Sequence, residues 1–175
     1  MNLIDKVIRQ ASCYDSVLDI GCGPGLHLKK IEASRKVGID VWPKEIDLAR
    51  ENCDPNTVFI EADLRELGLI YGPNSFECII GIDIVEHFDK RYVLDELLPS
   101  CENIASHCVI FFVPTGIHVQ TEDVRGLDNH FYQTHRSTWY PKDMEDKGYM
   151  VVHEPKYFRP QPNKERGAMI CINMW

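Results

Sequence analysis

Residues 17–25 read Val-Leu-Asp-Ile-Gly-Cys-Gly-Pro-Gly: an apolar run carrying one acid, then three glycines at alternate positions. Few backbones accept such a segment. The apolar run suits a buried strand. The glycines allow a sharp reversal whose bare main chain a ligand can approach. A dinucleotide fingerprint would place its third small residue one position later, where Leu26 stands, and no Gly-Lys-Ser/Thr follows to make a phosphate loop. The segment therefore predicts a strand, a turn and a helix starting near Leu26, with a ligand site at the strand's carboxyl end.

Further apolar runs, short and rich in β-branched or aromatic residues, occupy 37–40, 58–60, 76–82 and 108–113. They read as strands buried on both faces. Leu3, Ile4, Val7 and Ile8 share one helical face before the first strand. Pro43 suits the first position of a helix reaching about Glu51. Residues 90–105 line up Val93, Leu94, Leu97 and Leu98, with Pro99 expected to end or kink that helix. A short helix over 141–147 closes at Gly148. Segments 149–153 and 168–174 read as two last strands joined by a connection containing Pro155, Pro160 and Pro162, so they pair as an antiparallel hairpin. Alternating strand and helix predicts a single α/β domain over 1–175, with a mostly parallel, doubly wound sheet.

Partners are bounded by charge and cysteine usage. The net charge is −8 and no Lys/Arg run occurs, which argues against a nucleic-acid partner, since phosphate neutralisation supplies much of that affinity. The first ten residues mix acid, base and amide, unlike a signal peptide, and the apolar runs are too short to cross a bilayer. Seven cysteines without a CxxC pair fit reduced, mostly buried thiols in a cytoplasmic protein.

Four successive strands end in or near an acid: Asp19, Asp40, Asp63 and Asp83. Acids also cap helices, but four at one sheet edge point to one crevice. At this point the chain resembles the Rossmann-like (class I) S-adenosylmethionine-dependent methyltransferase family. The resemblance rests on residues 17–25 together with Asp83-Ile84-Val85-Glu86-His87-Phe88, supported by Val37-Gly38-Ile39-Asp40-Val41 and Glu61-Ala62-Asp63-Leu64. It implies a seven-stranded sheet of order 3-2-1-4-5-7-6, with the last strand antiparallel and helices on both faces. It implies S-adenosylmethionine as cofactor, leaving S-adenosylhomocysteine. Gly21, Cys22 and Gly23, with Gly25 completing the turn, would pass the methionine end, and Asp19 would receive its ammonium directly or through water. Asp40 would hold the ribose and Val41 pack on the adenine. Asp63 and the Leu64 amide would meet the adenine edge. Asp83 and Ile84 would line the far side of the methionine, with Glu86, His87 and Phe88 facing the opening.

Methyl transfer from a sulfonium is an in-line displacement that depends chiefly on alignment, and the family has no universal catalytic residue. The connection 114–140 is long, polar and aromatic, with His118, His130, His135, Phe131, Tyr132, Trp139 and Tyr140; it reads as the acceptor-site loop. Its Pro114, Gly116, Gln120, Asn129 and His135-x-Ser137-x-Trp139 also resemble a segment of many small methyltransferases. His130, His135 and His87 are the candidate bases, while His135 could equally brace the start of the next helix and Trp139 reads as packing. His118, His130 and His135 stand 12 and then 5 residues apart, a spacing that matches no metal-ligand pattern, so no metal is expected. No Asp/Asn-Pro-Pro-aromatic run or Pro-Cys pair follows the fourth strand. The expected acceptor is thus a small molecule, or a small group on a glycan or peptide, bearing an O or N nucleophile, and the chain a monomer or homodimer. Two other classes stay open: a non-catalytic scaffold or cofactor-binding subunit, and a nucleotide-dependent oxidoreductase.

Overall fold

The computed structural model describes residues 1–123, 125–158 and 166–175. Pro160 and Pro162 of the proline-rich connection lie outside the described residues. Helix α1 (Leu3–Ala11) starts on an Asn2 cap, whose side chain accepts from the Asp5 amide while Asp5 reaches back to the Asn2 amide. Its Leu3, Val7, Ile8 and Ala11 are buried, the 3.6-residue face legible in the sequence. Strands β1 (Ser16–Ile20), β2 (Arg35–Asp40), β3 (Val58–Glu61) and β4 (Phe76–Ile82) follow, with α2 (Pro43–Asn52) and the single turn α3 (Leu67–Ile70) among them. A helical run then passes through α4 (Lys90–Tyr92), a π-helical turn Val93–Leu97 and α5 (Leu98–Ile104) into β5 (Ala105–Thr115). After it come the short helices α6 (His130–Gln133) and α7 (Pro141–Glu145), then β6 (Met150–Glu154) and β7 (Gly167–Met174).

All seven strands join one sheet, ordered β3-β2-β1-β4-β5-β7-β6. β1 pairs parallel with β2 and β4, β2 with β3, and β4 with β5, whereas β7 runs antiparallel to both β5 and β6. This is the expected order, and the hairpin of the last two strands forms as read. Two apolar layers sandwich the sheet. On one side α1 and α2 bury Leu3, Val7, Ile46 and Ala49 against Val17, Ile80, Ile110 and Ile170. On the other, Leu67, Leu97, Leu98, Ile104, Trp139 and Met144 cover Leu18, Ile79, Val109 and Met169.

Two local expectations are corrected. No α-helix starts near Leu26: the connection has one 3-10 turn, Leu28–Lys30, before β2 begins at Arg35. Ser16 pairs with Arg35 and Ile20 with Ile39, so the chain must return the whole length of β1, four strand steps or about 13 Å. A helix using all nine residues from 26 to 34 would span about 13 Å and leave none for the turn into β2. The second correction concerns Pro99, which does not end its helix, since α5 continues to Ile104. The π turn immediately before α5 widens the ladder where proline lacks a donor and its ring would crowd the carbonyl one turn back.

Gly167 opposes Thr115 at the β5–β7 margin. A Cβ there would lie 2.6 Å from Thr115 Oγ1, 2.7 Å from the Glu154 carbonyl oxygen and 2.8 Å from Pro155 Cα. Two of these three are main-chain atoms that cannot step aside. Gly167→Ala is expected to cost about 1–3 kcal/mol, read as a lower urea midpoint at unchanged m-value. In contrast, a Cβ at Gly68 of α3 meets nothing within 4 Å, and Gly68→Ala should raise stability by about 0.5–1 kcal/mol.

Candidate active site

At the carboxyl edge of the sheet the turn after β1 opens a cavity of about 360 Å³. Gly21, Gly23 and Gly25 all take left-handed backbone conformations, with φ of 70°, 49° and 74°. A Cβ on Gly21 would collide with the Ile84 side chain. Gly23 donates its N–H to Asp40 Oδ2 at 2.9 Å, and the Trp42 amide donates to Asp40 Oδ1 at 2.9 Å. The β2 carboxylate thus holds both the glycine turn and the start of α2. Burial pushes its pKa up, and those same amide donors pull it back. Asp83, which ends β4, is itself left-handed with φ 51°, a conformation a non-glycine residue adopts at a cost. It faces the same cavity, where burial raises its carboxyl to about 6.

Of the residues expected to hold cofactor, Gly21, Cys22, Gly23, Asp40, Val41, Asp63, Leu64, Asp83, Ile84 and His87 line the cavity. Two do not. Asp19 lies 2% exposed beneath the floor, away from direct contact with a ligand. Gly25 is turned toward α2, where a Cβ would sit 2.8 Å from Cys53 Sγ and 3.3 Å from Ala49 Cβ; its requirement is packing. Asp63 also does what a helix-capping acid does. It accepts from the Arg65 amide and pairs with the Arg65 guanidinium at 2.8 Å, so its carboxylate reaches the cavity already partnered.

The wall opposite the glycine turn comes from 114–140. Trp139 is fully buried, and its indole N–H donates to Ser137 Oγ at 2.9 Å. Ser137 and Arg136 donate their amides to the Glu86 carbonyl at 3.1 and 2.7 Å. These bonds press the segment onto the turn after β4 and bring His135 against His87, ring centroids 4.9 Å apart and edge to face. Burial lowers the His87 pKa to about 4, helped by the neighbouring His135, and burial lowers that of His135 as well. Glu86 sits beside them, 2% exposed, with neither carboxylate oxygen hydrogen-bonded among the described residues.

His130 is not part of this constellation. It is exposed, lies outside the cavity lining, and its Nδ1 accepts from the Asp123 amide at 3.3 Å. Its place among the candidate bases is therefore withdrawn, because α6 turns it toward solvent. His118 lines the cavity with both ring nitrogens engaged: Nε2–H donates to the Thr115 carbonyl, while Nδ1 accepts from the Arg166 guanidinium at 3.1 Å. The trio His118, His130 and His135 does not converge.

Sequence reasoning missed Glu45 and Arg125. Arg125 reaches from the loop to pair with the buried Glu45 of α2 at 2.6 Å, and its guanidinium lies 2.9 Å from where a Gly23 Cβ would be. Trp42 donates its indole N–H to the Leu127 carbonyl at 3.0 Å, and Lys44 pairs with Asp128 at 3.0 Å. These contacts pin the connection after β5 across the start of α2 and the cavity mouth. The partners are 80 or more positions apart, and a single acid or base at each position carries no signal in the sequence.

Comparison with known proteins fits this geometry. A family model described as methyltransferase domain matches residues 17–103, spanning the glycine turn and all the acid-bearing strand ends. Over this region the chain is similar to the methyltransferase domain family, and its sheet has the order of the Rossmann-like, class I methyltransferase fold. Ubiquinone biosynthesis O-methyltransferase of Pelagibacter ubique is 28% identical over 102 residues, 57% of this chain, and the match spans 41% of that protein's length. In fold, the chain is similar to magnesium protoporphyrin IX methyltransferase from Synechocystis PCC 6803, solved with SAH bound. The TM-score there is 0.63 at 16% identity, covering 97% of this chain and 81% of that one. A SAM-dependent methyltransferase from Archaeoglobus fulgidus gives 0.59 at 19% identity, covering 98% and 93%. No described helix is long and apolar enough to cross a membrane.

Asp19 supplies a test of the buried floor. Burial, with the nearby Asp40 charge, raises its pKa to about 8, so the folded chain keeps a proton that the unfolded chain releases near 4. Stability from this group is complete below pH 4, falls as pH rises from about 4 to 8, and is level above that. In Asp19→Asn this component of the slope should vanish, as measured by urea unfolding at half-unit pH steps.

Proposed function

We propose that this chain is an active methyltransferase that carries the methyl group of S-adenosylmethionine to an O or N nucleophile on a small-molecule acceptor, or on a small group of a glycan or peptide. One observation carries the reading. A single cavity runs from the glycine turn and Asp40 at one end, past Asp83 and Ile84, to His87, His118, Gln120 and His135 at the other. In this reading the cofactor takes the first end, with its ribose on Asp40 and its methionine against Gly21–Gly23. Acids at that end suit the cationic ammonium and sulfonium. The sulfonium methyl then points along the cavity, and the acceptor enters from the loop side, against the packed pair His87 and His135. Displacement is in line, so what the protein contributes is chiefly the holding of both reactants on that axis. His87 and His135 line the end of the cavity at which the nucleophile loses its proton.

A scaffold role draws on a specific feature. The helix expected after the glycine turn is replaced by one 3-10 turn, and Arg125 stands over Gly23. Cofactor binding separates the two readings. S-adenosylmethionine or S-adenosylhomocysteine at a hundredfold over its dissociation constant should stabilise the fold by ~2.7 kcal/mol, with NADH inert. Asp40→Ala should weaken cofactor binding roughly ten- to a hundredfold, the worth of a hydrogen bond to a charged group. Folded protein whose unfolding neither adenosyl compound moves would favour the scaffold.

A further inference from the structure

Glu86, His87 and His135 each present a ligand atom, all within 4.8 Å of one another, on the acceptor side of the cavity. The two imidazoles are held in a defined tautomer. His87 Nδ1 faces the Thr134 carbonyl at 3.3 Å and His135 Nδ1 faces the His118 carbonyl at 2.9 Å. A carbonyl oxygen only accepts, so both Nδ1 atoms carry the proton and both Nε2 atoms keep a lone pair. Backbone carbonyls in this position are the usual outer support of metal-bound histidines. The third member, Glu86, is buried with both carboxylate oxygens lacking a hydrogen bond among the described residues. A carboxylate in that state is costly unless a cation or proton joins it.

Of the other two histidines lining the cavity, His118 uses both ring nitrogens and His27, beyond the glycine turn, is not within reach of this group. The set is also anchored independently of any ligand: the Glu86 carbonyl takes the Arg136 and Ser137 amides, and Trp139 backs Ser137. Two imidazoles and one carboxylate with an open side make a combination that divalent transition metals accept. Ligand atoms around such an ion sit roughly 3.4 Å apart for bonds of about 2.1 Å, so only a small inward adjustment of the side chains is required.

We propose that Glu86, His87 and His135 form a binding site for one divalent transition-metal ion, with a coordination position left open toward the acceptor. Its use in catalysis rests on the methyltransferase reading above; the binding of the ion does not. An acceptor hydroxyl taking the open position is acidified by the ion and releases its proton to solvent. The oxygen then forms its bond to the methyl carbon as the methyl–sulfur bond breaks, and that electron pair returns to sulfur, leaving S-adenosylhomocysteine. In this arrangement the imidazoles are ligands and not bases, and the site is assembled from residues 48 positions apart.

The test uses the whole chain, stripped with chelator and titrated with Zn²⁺ by calorimetry and with Co²⁺ by absorption spectroscopy. One ion per chain is expected, with a Co²⁺ spectrum of nitrogen and oxygen ligands and no thiolate band, since none of the seven cysteines belongs to the set. Glu86→Gln and His135→Ala should each weaken binding at least about a hundredfold, more than loss of an outer partner does. Should either variant fold poorly, the wild-type stoichiometry and spectrum decide. No binding by folded wild type, a thiolate spectrum, or full affinity retained in both variants would overturn the proposal. A shift with S-adenosylhomocysteine but none with metal would sink the metal site alone. Metal binding without any cofactor shift would sink the methyltransferase reading and leave the metal site standing.

Discussion

The hydrogen bond from the Gly23 amide to Asp40 is the contact on which the site is built. It joins the turn after β1 to the end of β2, and through the second Asp40 oxygen to the first residues of α2. The turn can take this position only because its glycines adopt left-handed conformations beside Ile84 and beneath Arg125. With the turn held, the ends of β1, β2 and β4 form a concave edge, and every other feature of the cavity is arranged around it. The strained conformation of Asp83 belongs to the same construction, because it turns the chain out of β4 directly into the cavity wall.

The second support is apolar. Trp139, buried beneath the segment that carries His135, fixes this wall of the cavity by packing and by one indole hydrogen bond. The motif of a histidine, a serine and a tryptophan at alternate positions thereby acquires a physical meaning. The tryptophan anchors, the serine links the anchor to the turn after β4, and the histidine is delivered to His87. The packing role read for Trp139 and the site role read for His135 are two halves of one device. At the other end of the loop, Arg125, Leu127 and Asp128 grip α2.

Four acids at this edge share one electrostatic situation. The buried Asp19 and Glu86, the half-buried Asp40 and the cavity-facing Asp83 are all pushed toward their neutral forms, and in each case desolvation is the first cause. Only Asp40 has main-chain donors to counter that pressure substantially. A cavity with this profile suits cationic ligands at both ends, a sulfonium with its ammonium at one and a metal ion at the other.

The strands and the glycine-turn half of the cavity were legible in the sequence because they depend on local chemistry. Strand patterning, glycines where φ must be positive, and an acid at each strand end are properties of short segments. The half lined by the connection after β5 was only partly legible. Its loop was recognisable by length and composition, yet His130 was misplaced and Glu45, Arg125 and the grouping of Glu86 with His135 went unseen. These depend on how a long connection folds back on the sheet, which is set by the burial of Trp139 and by main-chain bonds to Glu86. The helix expected at Leu26 failed for a similar reason: its residues are compatible with a helix, but the parallel register of β1 and β2 leaves too little chain to form one. The sequence by itself determined the strands and the glycine turn, since periodicity and backbone sterics act within a few residues, whereas the order of the sheet followed only from the family resemblance. Only the tertiary structure decided which distant side chains share a cavity, because that proximity is produced by packing and has no counterpart in spacing along the chain.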